Sequence, residues 1–279
     1  MIKRIISRLD IKNNFLVKGI NLEGLRVLGS PEVFANIYYN ENIDELILQD
    51  VVASLYKRNQ LNELTKKISQ NIFIPITVGG GIRSIDDISK ALDSGADRVS
   101  INSAAVENPK FIEEAIKKFG SSTISLSIET LNVDSEYKIY TESGRKETNI
   151  NFFDWIKRAE DYQVGELIIT SIKSEGRSKG LDLDLYKRIS DIVTIPVLAH
   201  GGASGEEDIL NLFKETIIQG IVICSAFHFH YLDHIKPDSK LSNQGSTNFV
   251  NNLKNYKNFK TPISTLKKFL RQKNIDIND

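Results

Sequence analysis

The chain has 279 residues and an even balance of charge, 36 Lys plus Arg against 36 Asp plus Glu. That balance removes the global field that draws a protein to nucleic acid or to an anionic membrane surface. A single cysteine, Cys224, excludes an internal disulfide, and no apolar run approaches the ~20 residues needed to span a bilayer.

The chain opens on Met1-Ile2-Lys3-Arg4-Ile5-Ile6-Ser7-Arg8. Charges interrupt this short apolar run, so no signal peptide is expected and a cytoplasmic location follows. Short, almost continuously apolar runs then fall at 4–10, 45–50, 73–78, 96–101, 122–129, 165–170, 194–199 and 219–224. They read as parallel strands covered on both faces. Helical patterns separate them at 31–38 (with Pro31 in the first turn), 61–68, from Ser84 onward, and at 109–116 and 153–159. Residues 132–148 predict a small hairpin after the fifth strand. Residues 232–260 are polar and read either as a disordered insert or as a lid or docking loop. An amphipathic helix at about 262–274 closes the chain.

The pattern repeats. Ile76-Thr77-Val78-Gly79-Gly80-Gly81-Ile82 is echoed by Leu198-Ala199-His200-Gly201-Gly202-Ala203, so Gly80, Gly81, Asp87 and Ile88 recur 121 positions later. Glu45 is matched by Glu166, Asp10 by Glu129, and Val99-Ser100-Ile101-Asn102-Ser103 by Val222-Ile223-Cys224-Ser225. Eight strand–helix alternations in two similar halves, 1–120 and 121–231, predict a single α/β domain over 1–279, a closed (β/α)8 TIM barrel. An open doubly wound sheet is the alternative, and the half-to-half symmetry favours closure.

Three constellations carry chemistry. Asp10 and Glu129 end symmetry-related strands and face each other across the mouth of such a barrel, an arrangement suited to proton transfer. The competing reading is that each caps a loop or pairs with a cation. Asp50, at the mouth end of the second strand, is a candidate polar positioner. The turns Gly80-Gly81 and Gly201-Gly202 lie beside Asn102-Ser103 and Ser225. Backbone amides with a hydroxyl cradle phosphate, and two cradles suit a long ligand with a phosphate at each end; singly, each turn is also plain turn geometry. At the opposite end, Arg4, Glu45, Arg98 and Glu166 could form a ring of alternating charge or ordinary floor salt bridges. His228 and His230 show metal-ligand spacing without an acidic or cysteine partner, so no metal or cofactor is expected. Cys224, in an apolar strand, reads as a buried spectator thiol.

Lys3-Arg4-Ile5-Ile6, Leu9-Asp10-Ile11-Lys12, Val17-Lys18-Gly19, Ile43-Asp44-Glu45-Leu46, Thr77-Val78-Gly79-Gly80-Gly81-Ile82, Ala104-Ala105-Val106-Glu107-Asn108-Pro109, Gly165-Glu166, Thr170-Ser171-Ile172 and Phe227-His228-Phe229 together resemble the cyclase subunit of imidazole glycerol phosphate synthase. The likeness covers about 3–231 and resumes in the last helix. It implies a two-half (β/α)8 barrel with a glutaminase subunit docked on its N-terminal face and ammonia passing through the barrel to a phosphorylated small-molecule substrate. By that resemblance Asp10 and Glu129 stand at the catalytic positions. Gly80, Gly81, Asn102 and Ser103 hold one phosphate, and Gly176, Gly201, Gly202 and Ser225 the other. Lys18, Asp50, Thr170, Ser171 and Arg177 join the substrate-binding set, while Arg4, Glu45, Arg98 and Glu166 form the ammonia gate.

The departures cluster at the mouth. Glu129 replaces an aspartate, Arg8 a cysteine, and His200 a small residue. Lys173-Ser174-Glu175-Gly176-Arg177 replaces the family's Asp-x-Asp-Gly-Thr, while at the gate Arg98 replaces lysine. A carboxyl displaced by about 1 Å can cost on the order of a hundredfold in rate. The stretch from Gly19 to Gly29, with Arg8-Leu9-Asp10 and Ser127-Ile128-Glu129, looks like a paralogous branch. That branch works with a glutaminase-like partner and a sugar amidotransferase to convert acetamido to acetamidino groups on surface-polysaccharide sugars. The expected function is therefore ammonia-dependent synthesis in that setting. The alternatives are the histidine-pathway cyclase itself and a non-catalytic ammonia conduit. No nucleic acid or membrane partner is expected.

Overall fold

The computed structural model describes residues 2–53, 61–232 and 258–278. Twelve strands occur in chain order: β1 (Arg4–Lys12), β2 (Phe15–Ile20), β3 (Glu23–Gly29), β4 (Glu45–Asp50), β5 (Ile76–Gly79), β6 (Arg98–Ile101), β7 (Ile124–Val133), β8 (Glu136–Thr141), β9 (Lys146–Asn151), β10 (Glu166–Ser171), β11 (Val197–His200) and β12 (Gly220–Ile223). Eight of them form a parallel ring, β1-β4-β5-β6-β7-β10-β11-β12, which the β12–β1 and β7–β10 pairings close. The barrel expected from the repeat is the barrel observed, and the open sheet is excluded. Helices follow the ring strands, among them Pro31–Asn40, Asn62–Ser69, Ile85–Asp93, Lys110–Phe119, Phe152–Asp161, Leu183–Ser190, Glu206–Glu215 and Ser225–Leu232.

Period-two alternation divides each ring strand between two cores. Ile6, Ile47, Ile168, Leu198 and Val222 form a small cluster of their own inside the ring. Ile5, Leu9, Leu46, Leu48, Val78 and Val99 belong to the large cluster shared with the helices. The strands are therefore apolar on both faces, which is why the sequence runs look continuous.

Strands β5 and β11 begin about three residues later than their apolar runs suggest. Pro75 and Pro196 precede them and lack the N–H a ladder needs. Each proline instead offers its carbonyl, to the Leu46 N–H at 3.0 Å and the Leu167 N–H at 2.9 Å. The hairpin expected at 132–148 is present as the end of β7 with β8 and β9, antiparallel in register Glu129↔Tyr140 to Val133↔Glu136.

A second hairpin, β2–β3, was not anticipated from the sequence. It pairs antiparallel with the end of β1 through Ile11↔Leu16. Its turns put Asn13 and Asn14 at φ of 51° and 66°, and Asn21 and Leu22 at 52° and 65°. Consecutive left-handed residues match the twist of a two-residue hairpin, and asparagine tolerates that region. Each half thus carries one hairpin after its first strand. The polar stretch at 232–260 lies almost wholly outside the described residues.

The floor is closed by one contact repeated at four junctions. Asp44, Asp97, Gly165 and Gln219 each donate a backbone N–H to the carbonyl of Ile5, Ile76, Ile124 and Val197, at 2.8–3.1 Å. At three of these junctions a side chain returns the bond: Asp44 accepts from Ile5 N–H at 2.6 Å, Asp97 from Ile76 at 2.8 Å and Gln219 from Val197 at 2.6 Å. The other oxygen of Asp44 receives Lys267 Nζ at 2.7 Å, from the last helix, Ile263–Gln272. Both charges are buried, at 2% and 4% exposure.

Removing one partner of a buried pair strands the other charge. Asp44→Ala is therefore expected to lower unfolding free energy by about 3–5 kcal/mol in urea titrations. Asp44→Ala with Lys267→Met should recover part of that loss.

Candidate functional site

The strand ends at the C-terminal mouth bring the predicted carboxyl groups, turns and hydroxyls together. Strands β1 and β7 lie four places apart in the ring of eight, so Asp10 and Glu129 are diametrically placed. Their environments differ. Arg8 Nε donates to Asp10 Oδ1 at 2.7 Å, and both residues are buried. Among the described residues Glu129 Oε2 accepts a single backbone bond, from Gly144 N–H at 2.8 Å. Burial pushes its carboxyl up to about 7, against the opposing pull of the Arg8 guanidinium. Glu129 is therefore a group that exchanges its proton near neutrality, as an acid–base catalyst requires.

Glu129 lines a cavity of about 360 Å³ with Gln49, Asp50, Gly80, Gly81, Asn102 and Ser103. Gly80 has φ of 91°, and a Cβ there would meet the Asp50 carbonyl at 2.3 Å, so the turn is open only to glycine. The following helix is locked by a capping box, with Asp87 N–H donating to Ser84 Oγ at 3.1 Å. Arg83 also borders the cavity and is fixed by Nη2 donating to the Ala53 carbonyl at 2.8 Å. Sequence reasoning passed over this cation, although it sits two residues after the glycine turn. The tip of the β8–β9 hairpin roofs the cavity: Glu142 N–H donates to Ser103 Oγ at 3.2 Å, and Ser143 Oγ to the Val51 carbonyl at 3.2 Å.

The second cradle is built alike and filled differently. Gly176, Gly201, Gly202 and Ser225 surround a space of about 20 Å³, bordered also by Glu175, His200 and Cys224. The His200 ring bridges Thr170 Oγ1 at 3.0 Å and Cys224 Sγ at 3.3 Å. Burial, with Arg8 and Lys18 near, holds this imidazole neutral, well below its ordinary range. Burial also pushes the Cys224 thiol up to about 12, which keeps it a protonated spectator.

Two expected substrate residues are placed elsewhere. Lys18 is buried and ion-paired with Glu175, with a second bond to the Gly19 carbonyl at 2.9 Å. Arg177 is exposed and borders neither cavity. Thr170 and Ser171 are buried, Thr170 against His200. His228 is also a packed core residue: it bonds Tyr38 at 2.5 Å, stacks on that ring, and is driven down to about 3 by burial. Among the described residues no group of His, Cys, Asp or Glu is placed to hold a metal ion, and no helix is long and apolar enough to cross a membrane.

At the floor, the four predicted ring residues meet. Arg4 bonds Glu45 at 3.0 Å and also Glu166, while Arg98 bonds Glu45 at 3.0 Å. Thr77 Oγ1 donates to Glu45 at 2.8 Å. Glu166 Oε1 is buried and has no hydrogen-bond partner among the described residues, so the ring is open at that point. Burial raises the Glu166 carboxyl despite Arg4.

Residues 4–233 match the family described as histidine biosynthesis protein. The chain is 48% identical over 206 residues to the imidazole glycerol phosphate synthase subunit HisF of Legionella pneumophila, covering 74% of this chain and 97% of that one. It is 45% identical over 228 residues to the protein of the same name from Hydrogenobaculum sp., with 81% and 90% covered. With that of Natranaerobius thermophilus it shares 39% identity over 243 residues, with 87% and 97% covered.

Glu129 supplies a pH signature. Its folded value, about 7, lies above the ordinary 4.5, so the folded state holds a proton that the unfolded state releases between those values. Stability contributed by this group is then lost as pH rises through that window. Chemical denaturation from pH 4.5 to 7 should show the wild-type chain losing on the order of 3 kcal/mol relative to Glu129→Gln, with no further difference above.

Proposed function

Because the chain belongs to the histidine biosynthesis protein family, we propose that it is the ammonia-accepting synthase subunit of a glutamine amidotransferase complex, acting on a phosphorylated small molecule at the mouth of its barrel. The observation that carries this reading is the floor ring of Arg4, Glu45, Arg98 and Glu166. Burying two glutamates at the floor of a barrel, under two part-exposed arginines, is poorly repaid as stability, since apolar residues of similar volume would serve as well. A ring left open at Glu166 instead suits a polar entrance for a small neutral molecule such as ammonia.

The ring is bordered on the same face by exposed apolar residues, Ile2 at 50%, Phe73 at 78% and Ile217 at 40%. All three precede ring strands and so lie at the floor, where a glutaminase subunit would dock and release ammonia into the pore. At the other end, Glu129 borders the open cavity and supplies the proton-exchanging group, which favours catalysis over a conduit that merely passes ammonia on.

Two substrates fit this frame. The names of the relatives support the cyclase step of imidazole glycerol phosphate synthase. The second reading, acetamidino-sugar synthesis alongside a sugar amidotransferase, rests on this chain's own mouth: the Arg8–Asp10 pair, Glu129, and His200 within the second cradle. Restoring histidine prototrophy to a strain lacking the cyclase subunit would establish the first. Failure to do so, with glutamine-dependent transfer of nitrogen to a sugar in the presence of the amidotransferase, would establish the second. Under either reading, Phe73→Glu should weaken copurification with the glutaminase subunit at least tenfold and leave the melting temperature unchanged.

A further inference from the structure

The internal repeat provides a control inside one molecule. Both glycine turns follow a ring strand and lie beside a strand that leads into a serine; the hairpin of the second half overlies the first turn, and the hairpin of the first half grips the β10 loop that lies on the second. Over the Gly80-Gly81 turn, the β8–β9 tip bonds Ser103 and the Val51 carbonyl from above and leaves about 360 Å³. Over the Gly201-Gly202 turn, the space remaining is about 20 Å³.

Three features of this chain fill the second space. His200 lies across it between Thr170 and Cys224. Glu175 projects its carboxylate into the gap between the β10 loop and the β2–β3 hairpin, where it takes Lys18 and the Leu22 N–H at 3.2 Å. The loop itself lies tight on the turn: Gly180 N–H bonds the Gly202 carbonyl at 2.9 Å, and a Cβ on Gly202 would meet the Gly180 carbonyl at 2.3 Å. The remaining volume holds a water molecule or two, not the five heavy atoms of a phosphate group. Lys18, a cation beside this loop, is already paired with Glu175 and is not available to an anion.

We propose that this chain anchors its substrate by one phosphate only, in the first-half cradle beside Arg83 and Glu129, and that the end of the substrate reaching the second half is uncharged. The inference rests on the reading that the Gly80-Gly81 turn binds phosphate.

The test compares two probes on the full-length chain by calorimetry: ribose 5-phosphate and ribulose 1,5-bisphosphate. The wild-type chain should bind them within threefold of each other, because the second phosphate finds no seat. Arg83→Ala should weaken both at least fivefold, and Ser225→Ala should change neither. His200→Ser, which opens the second cradle, should raise the preference for the bisphosphate at least tenfold. A wild-type preference of tenfold or more for the bisphosphate, or a loss of ribose 5-phosphate binding in Ser225→Ala, would overturn the inference while leaving phosphate recognition intact. Binding of neither probe would instead sink the phosphate reading and the inference with it. The wild-type ratio decides the matter even if His200→Ser does not fold.

Discussion

The barrel depends on what happens at the start of four strands. Asp44, Asp97, Gly165 and Gln219 each close on the first residues of the preceding ring strand, three of them through side chain as well as backbone. The residue after each, Glu45, Arg98, Glu166 and Gly220, begins the next strand and by alternation faces into the ring. Three of these are floor-ring members. The fourth is glycine, and a Cβ there would meet Leu198 Cδ2 at 2.7 Å and the Arg4 carbonyl and Cβ at 3.1 and 3.3 Å. Gly220 therefore yields its place to Arg4, which reaches both glutamates. The charged ring is a by-product of the contact that fixes strand stagger, which is how ring geometry can persist while the mouth changes.

At the mouth, two carboxyl groups at equivalent strand ends receive opposite treatment. Asp10 is held by a guanidinium two residues away on its own strand, whose side chain points the same way because strands alternate. Glu129 receives a backbone N–H from Gly144 and is buried in the cavity wall, and that burial outweighs the pull of Arg8 and keeps its proton near the neutral range. Arginine at position 8 thus separates the two: it bonds Asp10 directly, while at Glu129 burial outweighs its pull.

Much of this was legible in the sequence because a repeat constrains two places at once. The glycine turns, the facing carboxyl groups and the two floor glutamates each had a counterpart about 121 residues away, and the structure brings each set together. Less legible were features set by contacts distant in sequence. Lys18 and Glu175 are separated by 157 positions, and nothing local says that one lysine meets that particular glutamate. The β2–β3 hairpin was signalled by Asn13-Asn14 and Asn21, but its strands carry Lys18 and Arg26 and lack the continuous apolar character used to find the others. Arg83 was overlooked because a cation beside a glycine turn has no fixed spacing, only a shared cavity.

The two hairpins cross. The arm of the first half holds the β10 loop of the second, and the arm of the second half roofs the turn of the first, with Gly144 of one arm facing Leu22 of the other. Cut at its midpoint, the chain would give two fragments, each with a bare pocket and an idle arm. The exchange ties the two halves of the repeat to each other at the mouth.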